Sequence, residues 1–241
     1  MVTDRKPVYL LAGGPSSVRP GSPDPLIREA LDQAGCAAPA VAYIGAASND
    51  NAGFRTMITR LLREAGAKDV QLAPLCGRGA DPKKAMQVIE SCQIAFISGG
   101  DVELGMRVLK KAGMVDFLRD QYQKGKPFFG VSAGSIMLGK AWVRWRDPDD
   151  LSTHELFPCL GLTDVLCDTH DEEDGWEELR ILAQLIPSGT MVFGIPSGSA
   201  LIANPDGSVR AIGGEVHRFM RTGDGVSPMQ SIRDSRFEIQ D

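Results

Sequence analysis

Long apolar runs, a basic block and paired cysteines are all missing from this sequence. No apolar stretch approaches the roughly 20 residues that a membrane helix needs. The first apolar run, residues 8–12, is too short for a secretory core and ends in glycines. A soluble, cytoplasmic protein is therefore expected. Lys and Arg number 26 against 31 Asp and Glu, a net charge of -5. Without a cluster of cations to neutralise successive phosphates, no nucleic-acid partner is expected. The five cysteines, Cys36, Cys76, Cys92, Cys159 and Cys167, are odd in number and widely spaced, with no CxxC pair. Only three histidines, His154, His170 and His217, are available, so a dedicated metal site needs mixed ligands brought together from afar. Neither metal nor cofactor is expected.

What is present is a regular alternation. The 241 residues, 43% of them hydrophobic, suffice for one well-buried core, and a single α/β domain over residues 1–241 is expected. Short β-rich apolar runs at 8–12, 41–44, 70–72, 94–97 and 128–131 are separated by helical patterns, the sequence sign of an open, mostly parallel sheet covered by helices on both faces. Asp24-Pro25 and Asp81-Pro82 each read as an N-cap followed by a first helical position. Leu26, Ile27, Ala30 and Leu31 make one apolar stripe; Phe54, Met57, Ile58, Leu61 and Leu62 make another. Two helical stretches are expected over 103–124, an irregular segment rich in Trp, Arg and Asp after 138, a strand at 165–167, a helix at 176–186 and a strand at 191–195. Runs at 201–203, 209–212 and 216–220 read as an antiparallel meander at the sheet's edge, and the polar tail after Thr222 as surface chain. The glycines of AGGPSS (12–17) lack the Lys-Ser/Thr of a phosphate loop and read as a turn.

The junction after the run at 128–131 carries the chemistry. Gly130-Val131-Ser132-Ala133-Gly134 matches GxSxG with a buried strand before it and a helix after it. A turn that sharp leaves no room for side chains two residues before and after the serine, and both positions are glycine. Ser132 is then a candidate nucleophile at the strand's C-terminal end. The N–H of Ala133, at the helix start, is a natural donor to a developing oxyanion. Ser98-Gly99-Gly100-Asp101 follows the strand at 94–97 and emerges on the same sheet edge, where Gly100 is the candidate second donor. Taken separately, a tight turn and a GGD loop are also common structural features.

A serine hydroxyl needs a base. His170 follows the run 165–169 and is placed just past a strand end, where sites in open α/β sheets gather. His217, at the start of a late strand, and His154, in a polar loop, are the other candidates. A carboxylate should orient the base, and Asp147, Asp168, Asp171, Glu172 and Glu173 are too many for spacing to choose among.

With Gly99-Gly100-Asp101, the segment 130–135, His170 and Gly194-Ile195-Pro196-Ser197-Gly198 in hand, the chain resembles the aspartyl dipeptidase (dipeptidase E) and cyanophycinase family of serine peptidases. The resemblance runs from about residue 8 to 220. It implies a class I glutamine amidotransferase-like fold, a Ser132 nucleophile, a His170 base, oxyanion or substrate contacts from Gly99, Gly100, Asp101 and Ala133, and no cofactor. It also implies hydrolysis of short aspartyl or isoaspartyl peptides; Asp147 matches one position favoured for the acid of the triad, and the position held by Ser197 is the other proposed for it. Two departures stand out: Ser197 occupies a position where the family commonly has glutamate, and His170 is followed by Asp171-Glu172-Glu173-Asp174 rather than by aromatic and arginine residues.

The partner implied is a small peptide, with neither nucleic acid nor membrane, and a homodimer is the assembly considered. An acidic substrate calls for local cations; Arg144, Arg146, Arg180 and Arg218 are the candidates, each more commonly an ordinary surface residue. Two competing functions remain open: an α/β-hydrolase-type esterase using His217, and a non-catalytic binding protein with a decayed triad.

Overall fold

The computed structural model describes residues 5–13, 22–147, 149–223 and 225–234. The first half alternates as the apolar runs predict: β1 (Val8–Leu11), α1 (Pro25–Asp32), β2 (Ala40–Ile44), α2 (Ala52–Glu64), β3 (Asp69–Leu72), α3 (Pro82–Ser91), β4 (Ile94–Ile97), α4 (Val102–Lys111), α5 (Met114–Gln123), β5 (Phe128–Val131) and α6 (Ala133–Leu138). Both Asp-Pro signals act as caps. Asp24 accepts from the N–H of Leu26 at 2.9 Å and of Ile27 at 3.1 Å, and Asp81 from that of Lys84 at 3.0 Å, contacts typically worth about 1 kcal/mol each.

The chain then continues through β6 (Ala141–Trp145), β7 (His154–Pro158), β8 (Cys167–Thr169), α7 (Glu177–Gln184), β9 (Met191–Ile195), β10 (Ala200–Ala203), β11 (Val209–Ile212), β12 (Glu215–Thr222) and β13 (Gly225–Arg233). The main sheet has the order β11-β10-β1-β5-β4-β2-β3, parallel from β1 to β3 and antiparallel at β10 and β11. Its inner strands are largely buried on both faces, the edge strands β3 and β11 only in part, and successive side chains feed two cores. Val8 and Leu10 pack with residues of α3 to α6, while Tyr9 and Leu11 pack with residues of α1 and α2.

Three expectations are corrected. The late strands do not form one meander: β10 and β11 extend the main sheet, whereas β12 joins a separate four-stranded sheet, β13-β12-β9-β8. That second sheet has its own core with α7, around Leu179, Leu182 and Val192. The segment after residue 138 is a regular hairpin, β6 paired with β7 from Ala141↔Pro158 to Trp145↔His154. The polar tail is partly ordered as β13, an edge strand paired with β12 from Glu215↔Arg233 to Thr222↔Gly225. Backbone pairing on an edge needs no apolar pattern, so composition alone concealed it. The turn expected at AGGPSS lies outside the described residues from Gly14 onward. Among the described residues no helix is long and apolar enough to cross a membrane, and all five cysteines are free, three of them buried.

Candidate active site

Ser132 stands between β5 and α6 with φ 54° and ψ −128°, a conformation that costs a non-glycine residue on the order of 1–3 kcal/mol. The surroundings enforce it. A Cβ on Gly130 would come within 2.5 Å of the Gly134 carbonyl carbon, and one on Gly134 within 2.1 Å of the Ile97 oxygen. The bend is tied to the end of β1 by the Ser132 N–H, which donates to Leu11 O at 2.9 Å, and by the buried Ser135 hydroxyl, which donates to the same oxygen at 2.8 Å. The hydroxyl of Ser132 is thereby held at the C-terminal edge of the sheet.

His170 arrives from the second sheet. It follows β8 with φ 47°, and its N–H donates to Ile195 O at 2.9 Å, which fixes the backbone of the histidine against the end of β9. Its Nε2 lies 2.7 Å from Ser132 Oγ. With Nε2 unprotonated, the hydroxyl donates to it, the geometry a general base requires. The other histidines are engaged elsewhere. The ring of His217, on β12, packs against Trp176 in a tilted arrangement with centroids 5.7 Å apart and lies near the Ser231 hydroxyl, while His154 opens β7 opposite Trp145.

Gly99 and Gly100 follow β4 beside the serine. A Cβ on Gly99 would stand 3.2 Å from Ser132 Cβ, and one on Gly100, which has φ 139°, would strike Ala47 O at 2.1 Å. Gly100 can only be glycine here. Among the described residues the N–H groups of Gly99, Gly100 and Ala133 donate to no protein acceptor, which leaves them free for an oxyanion. Asp101 differs from them: its carboxylate caps α4 by accepting from Leu104 N–H at 2.6 Å, and its own N–H donates to Ala47 O.

The carboxylates sort by position. Asp147 lies in the β6–β7 turn, where its carboxylate accepts from Asp149 N–H at 3.0 Å and its own N–H donates to Thr153 Oγ1; among the described residues it makes no bond to His170. Asp168 is 5% exposed; Oδ1 accepts from Thr169 N–H, and Oδ2 is buried with no partner among the described residues. Burial raises its pKa to about 7 against the opposing pull of that N–H, with Glu178 and Asp171 adding their repulsion. Burial likewise raises Asp171, helped by Asp174 and Glu177 and opposed by the charge of His170. Glu172 behaves oppositely. Burial pushes it up, but the Ser197 N–H and hydroxyl and the charge of His170 outweigh this and hold it below the ordinary value. Its Oε1 accepts from Ser197 N–H at 2.9 Å, so a carboxylate from the histidine segment reaches the turn at the position where the sequence departs from the family's glutamate.

A cavity of about 1160 Å³ opens above these groups. It is lined by Ser132, His170, Gly99 and Gly100, by Leu26 and Ile27 of α1, and by Phe54, Met57, Ile58 and Leu61 of α2. Leu26 and Ile27 are buried in the second core as their stripe predicts, whereas Met57 and Leu61 of the α2 stripe are exposed to the cavity. The available signal was the doubling at 57–58 and 61–62: Ile58 and Leu62 suffice to bury the helix, which leaves Met57 and Leu61 in the cavity wall. None of Arg144, Arg146, Arg180 and Arg218 lines this cavity. Arg144 and Arg146 pair with Glu155, Arg180 covers the Phe219 ring, and Arg218 donates to Gln230 O.

Residues 10–211 match the model of peptidase family S51. Among curated relatives, Peptidase E of Haemophilus influenzae (strain ATCC 51907 / DSM 11121 / KW20 / Rd) is 25% identical over 126 residues, covering 49% of this chain and 58% of the relative. Cyanophycinase of Synechococcus elongatus is 25% identical over 184 residues, 72% of this chain and 56% of the relative. The chain thus spans a little over half the length of these relatives. The crystal structure of a peptidase from an acI-B1 Actinobacterium superposes with a TM-score of 0.70 at 18% identity, over 95% of this chain and 97% of that one, and shares the fold.

Proposed function

The chain belongs to peptidase family S51, and on that premise we propose that it is a serine-type exopeptidase that hydrolyses short peptides through an acyl-enzyme on Ser132. The observation that carries the reading is the 2.7 Å approach of His170 Nε2 to the hydroxyl of Ser132, both lining an open cavity. In the first step Nε2 takes the hydroxyl proton as Oγ attacks the scissile carbonyl carbon. The carbonyl oxygen gains the negative charge and accepts from the N–H groups of Gly100 and Ala133, with Gly99 beside them. Collapse of this intermediate breaks the C–N bond, and the imidazolium returns its proton to the leaving amine. Water then repeats the sequence on the ester, regenerating the hydroxyl.

The names of the relatives, Peptidase E and Cyanophycinase, agree with cleavage of small peptides. The aspartyl or isoaspartyl side chain that the resemblance implies lacks a matching cation among the described lining residues, so the proposal extends to the reaction and not to that side chain. Of the alternatives, the esterase reading needs His217, which packs on Trp176.

An alkyl fluorophosphonate should label Ser132 stoichiometrically, and Ser132→Ala should abolish both labelling and peptide turnover. His170→Ala should lower kcat/KM by about 10²–10⁴. Full hydrolysis by His170→Ala overturns the mechanism.

A further inference from the structure

We propose that the substrate of this site carries a bulky apolar side chain next to the scissile bond, seated in the cleft between α1 and α2. The inference deepens the peptidase reading and rests on Ser132 and His170 being the hydrolytic pair.

The cleft wall is the first argument. Met57 is 51% exposed and Leu61 37%, and they are two of the four large hydrophobic side chains exposed among the described residues. Both line the cavity, together with Leu26 and Ile27 of α1. Single exposed apolar residues are ordinary, but a contiguous apolar wall beside a nucleophile is the usual form of a binding pocket. At about 1160 Å³ the cavity is large enough for a dipeptide with a long side chain.

Charge is the second argument. The acids lining the cavity are Asp24 and Glu173, and no lysine or arginine lines it among the described residues. Asp24 is committed to capping α1. Three cations of α2, Arg55, Arg60 and Arg63, instead line a separate groove with Tyr43 and Val70. A substrate carboxylate entering the cleft would lose water, meet no cation among the described lining residues and share the cavity with Glu173, whereas an aliphatic or aromatic side chain gains contact with the apolar lining residues.

The test is a dipeptide panel, Leu-Ala, Ala-Leu, Phe-Ala, Ala-Ala, Asp-Ala and Ala-Asp, incubated with the full chain after fluorophosphonate titration of active Ser132. Release of free amino acids is followed chromatographically. At least one Leu or Phe peptide should exceed both Ala-Ala and its Asp counterpart in kcat/KM by at least tenfold. Met57→Arg, on an exposed position, should reduce that advantage at least tenfold while fluorophosphonate labelling persists, which verifies that the fold and nucleophile survive. If Ser132 labels and the Asp peptides are turned over best, or if Ala-Ala matches the apolar peptides, the apolar assignment is wrong and the peptidase reading stands. If Ser132 neither labels nor supports turnover of any peptide, the peptidase reading fails and takes this inference with it.

Discussion

Glu172 holds its Oε1 2.9 Å from the Ser197 amide nitrogen, so the two segments that converge on the serine, the one after β8 and the one after β9, are joined by a charged hydrogen bond two residues beyond the backbone hydrogen bond from His170 N–H to Ile195 O. The bond restrains the loop that carries the histidine. The carboxylate also feels the charge of His170, and a negative group there favours the imidazolium that forms when Ser132 gives up its proton.

Glu172→Gln separates these two effects, because the amide oxygen can still accept from Ser197 while the charge is gone. We expect kcat to fall by about tenfold with KM little changed. Glu172→Ala removes the restraint as well and should cost more. Equal activity of wild type and Glu172→Gln across the whole pH profile would leave Glu172 with a structural role only.

Asp168 predicts the pH dependence of stability. Its folded-state pKa is raised from 3.8 to about 7 by burial, so between those values the folded state binds more protons than the unfolded state, and stability declines as pH rises through that window. Asp168→Asn keeps the acceptor for Thr169 N–H and removes the buried charge. It should leave the urea midpoint unchanged near pH 4 and raise stability at pH 8 by up to about 4 kcal/mol. A variant no more stable than wild type at pH 8 contradicts this account.

The elbow glycines predict a sharp positional contrast. Gly134→Ala drives a Cβ to 2.1 Å from Ile97 O, a backbone atom of β4 that cannot rotate away. Loss of several kcal/mol of stability, or failure to fold, is expected, together with loss of fluorophosphonate labelling. Gly79→Ala meets nothing within 4 Å and should be neutral or slightly stabilising. Thermal unfolding of the two variants side by side checks the contrast.

The parallel half of the fold was legible because β1, β2, β4 and β5 are short apolar runs, with only the edge strand β3 mixed, and the helices between them carry their own stripe or cap, so local pattern and tertiary role agree. The serine elbow was legible for the same reason: Gly130 and Gly134 state the steric requirement in the sequence itself. His170 was chosen for the right neighbourhood on an incomplete picture, since β8 lies in the second sheet and meets the main sheet's edge only through tertiary packing. Sheet membership of β8, β9, β12 and β13 depends on pairings between segments far apart in sequence, to which local periodicity is blind. Asp147 illustrates the limit of resemblance. Its carboxylate is used by the β6–β7 turn, and the acids with an electrostatic hold on His170, Asp171 and Glu172, come from the histidine's own loop.

The backbone of Ser132 supplies the last prediction. At φ 54° and ψ −128° the residue occupies a region that glycine enters freely and serine does not, and the neighbouring glycines leave the chain no other course. If that strain serves to hold the hydroxyl toward His170, replacing the side chain should recover the energy while losing the reaction. Ser132→Gly is therefore expected to be more stable than wild type by about 1–2 kcal/mol and inactive toward peptides. Ser132→Ala, inactive as well, retains a Cβ in the same conformation and should gain less. Chemical denaturation of the three proteins measures the difference; a glycine variant less stable than the alanine one would show that the elbow is not strained at this residue.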